Sequence, residues 1–381
     1  MVRFAHAAAR RGNVAFHFDT APYAGAYRPV EAMDLGELEV IRLILRGSSV
    51  VDWRRLHFRQ RADVNHFLRL NLFDVADSRD ERRLRSILAQ AVEYLRRAFG
   101  YRVAEAVAQP ADVRDLFLLA SGAAEPARYR RIACVVLKCM HVVHHLEARE
   151  LLFRTAIREA DLAERVDRRV TAEARRMQQL GLPVVEFVGN VKARSSLVTK
   201  LLAKRETVAA QVFDRVRYRI VTQRQDQIPS ILHHLSRTLF PFNYLVPGQT
   251  QNSLVRFREI LARHPEGPRL VPELQAPIDI ERRDRPHVNV FSAKKYRVLN
   301  FVVDLPVRID ELLPPDGPLV EDLGRVVFSL VEFQVLDQAT ARRNETGASS
   351  HERYKKRQSK IVLRRLSRGL VVPKKQKRGK E

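Results

Sequence analysis

The hydrophobic period of this chain changes at Gly181-Leu182-Pro183, and that change limits the folds open to it. Before it, apolar residues recur at three and four. After it, stretches alternating every second residue are interleaved with helical ones. LGELEVIRLILRG (35–47) and DERRLRSILAQAVEYLRRAFG (80–100) read as helices that stop on Gly47 and Gly100. A third helical stretch, 128–181, is long enough to need a break. Past the change, VVEFVG (184–189), FDRVRYRIV (213–221), KYRVLNFVVDL (295–305) and RVVFSLVEFQVL (325–336) read as strands. Helices are expected over 193–206 and 227–240, and a basic helix from near Ser350. This order predicts an α+β chain: an all-helical N-terminal region, then a mixed β-sheet flanked by helices. The expected units are 1–178, 179–365 with an irregular insertion near 247–286, and a basic disordered tail over 366–381.

A chain of 381 residues with 45% hydrophobic content buries a full core without staples. Cys134 and Cys139, both in one apolar segment, suggest neither a disulfide framework nor a zinc knuckle, so a reducing compartment is expected. The opening MVRFAHAAARRGNVAF lacks a signal-type apolar run, and IACVVLKCMHVV is too short and polar to span a bilayer. A cytoplasmic protein without a membrane partner is expected. The formal charge of +24 attracts polyanions such as RNA, DNA or nucleoside polyphosphates. Residues 351–381 hold thirteen Lys or Arg against two Glu, so the tail is either a solubilising extension or an RNA contact.

Two acids occupy awkward strand positions. In FDRVRYRIV the Arg side chains share one face and Val216, Tyr218 and Ile220 the other, to which Asp214 belongs by parity. A carboxylate there is paired, solvated at the strand mouth or holding a metal, because an unpaired buried charge is costly. In RVVFSLVEFQVL, Glu332 and Gln334 share a face with Phe328 and Leu330. If the two strands are neighbours, Asp214 and Glu332 suit Mg²⁺, which takes one or two carboxylates plus substrate phosphates; alternatively each acid pairs with a local Arg. Lys192, Arg194, Lys200 and Lys204 surround the start of a helix, where a polyphosphate or plain solvent is the natural partner. Tyr296, after Lys294-Lys295, is either a platform for a base or a strand-edge tyrosine.

In their order, these pieces resemble the RelA/SpoT-type alarmone synthetase domain, a pyrophosphokinase of nucleotidyltransferase-like fold. The resemblance covers roughly 184–356. Lys192, Ser196 and Lys200 match its first motif, Asp214 and Arg219 its second, Tyr296 its third, and Glu332-Phe333-Gln334 its fourth. In NETGASSHERYKK, Glu345, Gly347, His351, Tyr354 and Lys355 fall in the family's spacing. The resemblance implies transfer of pyrophosphate from ATP to a ribose 3′-hydroxyl of a nucleotide or of tRNA, releasing AMP. It implies Asp214 as a Mg²⁺ ligand and Glu332 as its partner or as the group activating the hydroxyl. Tyr296 would stack on the acceptor base, and Lys192, Lys200 and Arg219 would grip phosphates, with Arg194, Ser196, Gln334, His351, Tyr354 and Lys355 completing the nucleotide site. The chain departs from the pattern at Asn190 and Leu336, where arginines are expected, and at Asn300, where a histidine is expected. Those departures favour an alternative, a noncatalytic RNA-binding or nucleotide-sensing protein that keeps the fold.

His141, His144 and His145 share one helical stretch; the i, i+4 pair has zinc-ligand spacing but no following acid, and polar helix-face histidines are the expectation. No adjacent His-Asp pair occurs in the first 180 residues, which disfavours the hydrolase domain of bifunctional relatives. Trp53 is expected to anchor a core.

Overall fold

A computed structural model describes residues 14–17, 27–47, 58–191, 194–203, 216–269, 296–313, 323–345 and 351–366. Its strands are β1 (Val14–His17), β2 (Val184–Val191), β3 (Val216–Thr222), β4 (Gln251–Asn252), β5 (Leu299–Arg308) and β6 (Val326–Asp337). They form one sheet in the order β1-β2-β3-β6-β5-β4. Neighbours are antiparallel except β3 and β6, which run parallel. The helices are α1 (Leu35–Arg46), α2 (Arg61–Leu70), α3 (Ser78–Phe99), α4 (Glu105–Ala108), α5 (Val113–Ser121), α6 (Arg130–Arg154) and α7 (Glu159–Gln179). After β2 come α8 (Arg194–Ala203), α9 (Ile228–Thr238), α10 (Phe257–Arg263), α11 (Gln338–Glu345) and α12 (His351–Leu366). The chain is thus a mixed α+β protein, as its periodicity predicts. The N-terminal region also contributes the sheet's edge strand β1.

Local chemistry explains the helix limits. Asp34 and Glu37 form a reciprocal capping box at the start of α1, with Glu37 N–H donating to Asp34 Oδ1 at 2.9 Å. Gly47 ends that helix at φ 66° and Gly100 ends α3 at φ 65°, a conformation glycine adopts without a Cβ clash. The long helical stretch breaks between Arg154 and Glu159, where Thr155 turns extended and its hydroxyl bonds back to the Leu151 carbonyl. Part of the expected insertion is ordered as β4 and α10, while 270–286 lies outside the described residues.

Two apolar cores result. The first sits on one sheet face: Phe187, Tyr218, Ile220, Phe301, Phe333 and Val335 pack against Leu38 and Ile41 of α1, Val166, Val170 and Ala174 of α7, and Ile231 and Leu235 of α9. Elements on both sides of residue 178 therefore share this core. The second is helical, joining Val64 and Phe67 of α2, Leu84, Ile87 and Ala91 of α3, Leu116 and Phe117 of α5, and Val136, Leu137 and Met140 of α6. Cys134 and Cys139 are free thiols at its edge. Among the described residues no helix is long and apolar enough to cross a membrane.

Candidate active site

The site lies on the sheet's other face and follows from strand parity. With Val216, Tyr218 and Ile220 buried in the first core, Arg217 and Arg219 must point the opposite way. The β3–β6 ladder sets Arg217 opposite Glu332 and Arg219 opposite Gln334. The β5–β6 ladder sets Asn300 opposite Gln334 and Val302 opposite Glu332. On the far side, Asn190 of β2 pairs with Arg217 and Val188 with Arg219. Four adjacent strands thus present Asn190, Arg217, Glu332, Gln334 and Asn300 on one surface.

Tyr296 completes it from the loop entering β5. Asn344 of α11 clamps that loop at both backbone polar groups: its Nδ2 donates to the Arg297 carbonyl at 2.7 Å, and its Oδ1 accepts from Arg297 N–H at 3.2 Å. The Tyr296 hydroxyl accepts from Gln334 Nε2 at 2.9 Å. Burial pushes the phenol's pKa up, while the charges of Arg217 and Arg219 oppose this. Arg219 donates to Glu345 Oε1 at 2.9 Å, and its Nε lies 3.5 Å from Glu186 Oε1. It therefore spans β3, β2 and the end of α11.

Glu332 differs from its neighbours. It makes no ion pair among the described residues, and its Oε2 is buried without a hydrogen-bond partner. Among the described residues no arginine clasps this acid. A buried carboxylate oxygen left bare is costly, so the position is suited to a cation or to a hydroxyl donor from a ligand. Asn300 Oδ1 is buried and unpartnered in the same way.

The structure brings Arg219, Tyr296, Glu332 and Gln334 together. Asp214 and Lys192 lie outside the described residues, as do the side chains of Arg194, Lys200, His351 and Tyr354. Ser196 is exposed on α8 and Lys355 on α12, and these two helices pack against each other. Gly347, Lys204, Trp53 and the tail from Ser367 are likewise outside the description. Sequence reasoning left Arg217 and Glu186 out of the site and named Asn300 only as a departure from the family's pattern. Parity places Arg217 on the right face, but only the pairing register puts it beside Glu332, and nothing local signals that register.

The other end of the same sheet face is covered by α6, and here the histidines depart from expectation. His141 and His144 are buried rather than solvated. His145 stacks on Phe328 at 4.3 Å with its Nδ1 3.6 Å from Asp304 Oδ2, and His144 lies between Phe73 and Phe328. Burial lowers the pKa of His141 to about 3 and that of His145 to about 4, and raises that of Asp304 to about 7. Among the described residues no group of three or more His, Cys, Asp or Glu is placed to hold a metal ion.

No protein-family model matches the chain, and no curated protein matches it. Among solved structures, it is similar to small alarmone synthetase 1 from Bacillus subtilis at 14% identity and TM-score 0.29, over 54% of this chain and 86% of that one. The product-bound form of that enzyme, carrying pppGpp, gives 15% identity and TM-score 0.29, over 54% and 87%. A GTP pyrophosphokinase family protein from Streptococcus pneumoniae gives 14% identity and TM-score 0.28, over 58% and 88%. These likenesses are distant, and the reading of the site rests on the chain's own residues.

Proposed function

We propose that this chain is a divergent pyrophosphokinase that moves pyrophosphate from ATP to the 3′-hydroxyl of a nucleotide or of tRNA. The observation that carries the reading is the bare, buried Glu332 oxygen on a sheet face shared with Arg217, Arg219, Gln334 and Tyr296. In this reaction the 3′-oxygen bonds to the β-phosphorus of ATP, the bond from that phosphorus to the α,β-bridging oxygen breaks, and AMP leaves. The hydroxyl proton has an acceptor in Glu332, within a surface whose arginines offset phosphate charge. Tyr296 offers its ring to the acceptor base.

Mg²⁺ fits the donor set only in part on the described residues: Glu332 Oε2, the unpartnered oxygen, serves either the metal or the hydroxyl, and with the hydroxyl on it Asp214 is the proposed ligand. When bound, it would neutralise charge on the transferring phosphates. The missing arginines at Asn190 and Leu336 leave Arg217 as the cation nearest Glu332 in the ladder.

The test is incubation of the full chain with ATP, Mg²⁺ and GDP, GTP, ADP or tRNA. AMP release tied to labelled pyrophosphate on one acceptor supports the reading. Absence of AMP with every acceptor ends it and leaves the noncatalytic RNA-binding or nucleotide-sensing alternative. Salt-sensitive RNA binding would then be the property to measure.

A further inference from the structure

Asn300 and Glu332 form a pair of unsatisfied acceptors. Asn300 stands opposite Gln334 on the neighbouring strand, and Glu332 is two residues from Gln334 on the same face of β6. The two are therefore diagonal cross-strand neighbours on one face, roughly 7–8 Å apart at the backbone. Each has one oxygen that is buried and lacks a donor, namely Asn300 Oδ1 and Glu332 Oε2. Gln334 Nε2 donates to Tyr296, and its second N–H reaches neither oxygen.

Two unpartnered acceptors on one face, at diagonal register positions, suit a ligand with two neighbouring donors. A phosphate presents only acceptors at neutral pH, so it does not suit this spot. A base stacked on Tyr296 offers its ring face there. A ribose offers two neighbouring O–H groups, the 2′ and the 3′, on one edge of the sugar. We infer that Asn300 accepts the 2′-hydroxyl of the acceptor nucleotide while Glu332 takes the 3′-hydroxyl, so that Asn300 selects ribonucleotides over 2′-deoxyribonucleotides. This rests on the acceptor reading given above and deepens it. The selection follows from the geometry: a deoxy sugar leaves Asn300 Oδ1 buried and bare, whereas a ribose satisfies it.

The experiment compares GDP with 2′-deoxy-GDP, and ADP with 2′-deoxy-ADP, using the full chain and the Asn300→Leu variant. Leu has nearly the same shape and no acceptor. Two quantities are read: kcat/KM for AMP release from ATP, and Kd for each acceptor without ATP. The wild type is expected to favour the ribose form by about 10- to 100-fold, the range for a buried acceptor losing its donor, and Asn300→Leu to bring that ratio to about 1–3. A wild-type ratio near 1 overturns the inference even if the variant does not fold. So does a variant ratio equal to the wild type's. If no acceptor yields AMP but the binding ratio is present and collapses in the variant, the hydroxyl contact stands and the pyrophosphokinase reading falls. If no nucleotide binds, both fall.

Discussion

Glu332 has one carboxylate oxygen, Oε2, that is buried without a partner among the described residues, and this sets its behaviour on substitution. Glu332→Gln keeps the shape and removes the charge. Because the carboxylate oxygen has nothing to lose, the melting temperature should stay level or rise, whereas substitution of a paired buried acid would lower it. AMP release should fall by about 10²- to 10⁴-fold, the range for loss of a positioned general base. A variant that loses stability along with activity would show that Glu332 is held by a partner. Tyr296 is separable in the same manner. Tyr296→Phe removes only the hydroxyl that accepts from Gln334, costing about 1 kcal/mol of stability while leaving the ring to stack. Tyr296→Ala removes the ring, and acceptor Kd should rise by the equivalent of about 1–3 kcal/mol. Calorimetric binding of the acceptor to both variants distinguishes ring from hydroxyl.

At the scale of elements, α6 crossing the sheet has a consequence for pH. His141, His144 and His145 are held neutral chiefly by burial, with Arg83 also disfavouring charge on His144 and Arg149 facing Asp304. Their folded pKa values lie below the ordinary 6.5, so on acidification the unfolded chain takes up protons that the folded chain refuses, and stability falls as pH drops below about 6.5. Asp304 acts in the opposite sense: its raised value, about 7, contributes stability at low pH that is lost as pH rises through 7. Three imidazoles outweigh one carboxyl, so the melting temperature should decline from pH 6.5 towards pH 4. His144→Leu should flatten that decline, since both ring nitrogens of His144 lack partners. A melting curve series across this range checks it, and an unchanged slope in the variant would assign the effect elsewhere. The histidine spacing was legible in the sequence, but its burial was not: helical period places His141 and His145 on one face without saying that Phe328 and Tyr244 cover it. The strand alternations were legible because each has one buried face, and β3 and β6 run within a few residues of their expected limits. β1 and β4, at four and two residues, are too short to carry a period and went unread. So did the parallel pairing of β3 with β6, which joins segments about a hundred residues apart and on which the site depends.

For the whole molecule, the question is how a helical core and a sheet core are fastened. Among the described residues several contacts do this: α6, whose first half belongs to the bundle and whose later turns lie on the sheet; the turn at 242–244, where Phe242 packs on Phe67 and Asn243 Nδ2 donates to Asn71 Oδ1 at 3.3 Å; and Arg308 at the end of β5. The Arg308 guanidinium donates to Asp80 of α3 at 2.7 and 3.1 Å, to the Leu72 carbonyl at 3.0 Å and to Asp310 at 2.8 Å. Asp80 is buried, so its carboxylate has little access to water if the arginine is removed. Exposed ion pairs contribute little, and Arg97–Glu93 should be replaceable without effect. Arg308→Met is a different case. It leaves the buried Asp80 carboxylate with the Asp74 N–H but without the Arg308 charge and should destabilise by about 3–5 kcal/mol, whereas adding Asp80→Leu removes that charge, at the cost of the Asp74 bond, and should restore part of that loss. The form of the transition carries further information. If this contact couples the two cores, wild-type unfolding is a single transition by both near- and far-ultraviolet circular dichroism. In Arg308→Met the two probes should then separate, because only α6 and the 242–244 turn, among the contacts named, are left to hold the helical core against the sheet. Coincident transitions in that variant would show that α6 and the 242–244 turn are sufficient. The Arg308–Asp80 pair would then serve local order at the end of β5 and not the union of the two cores.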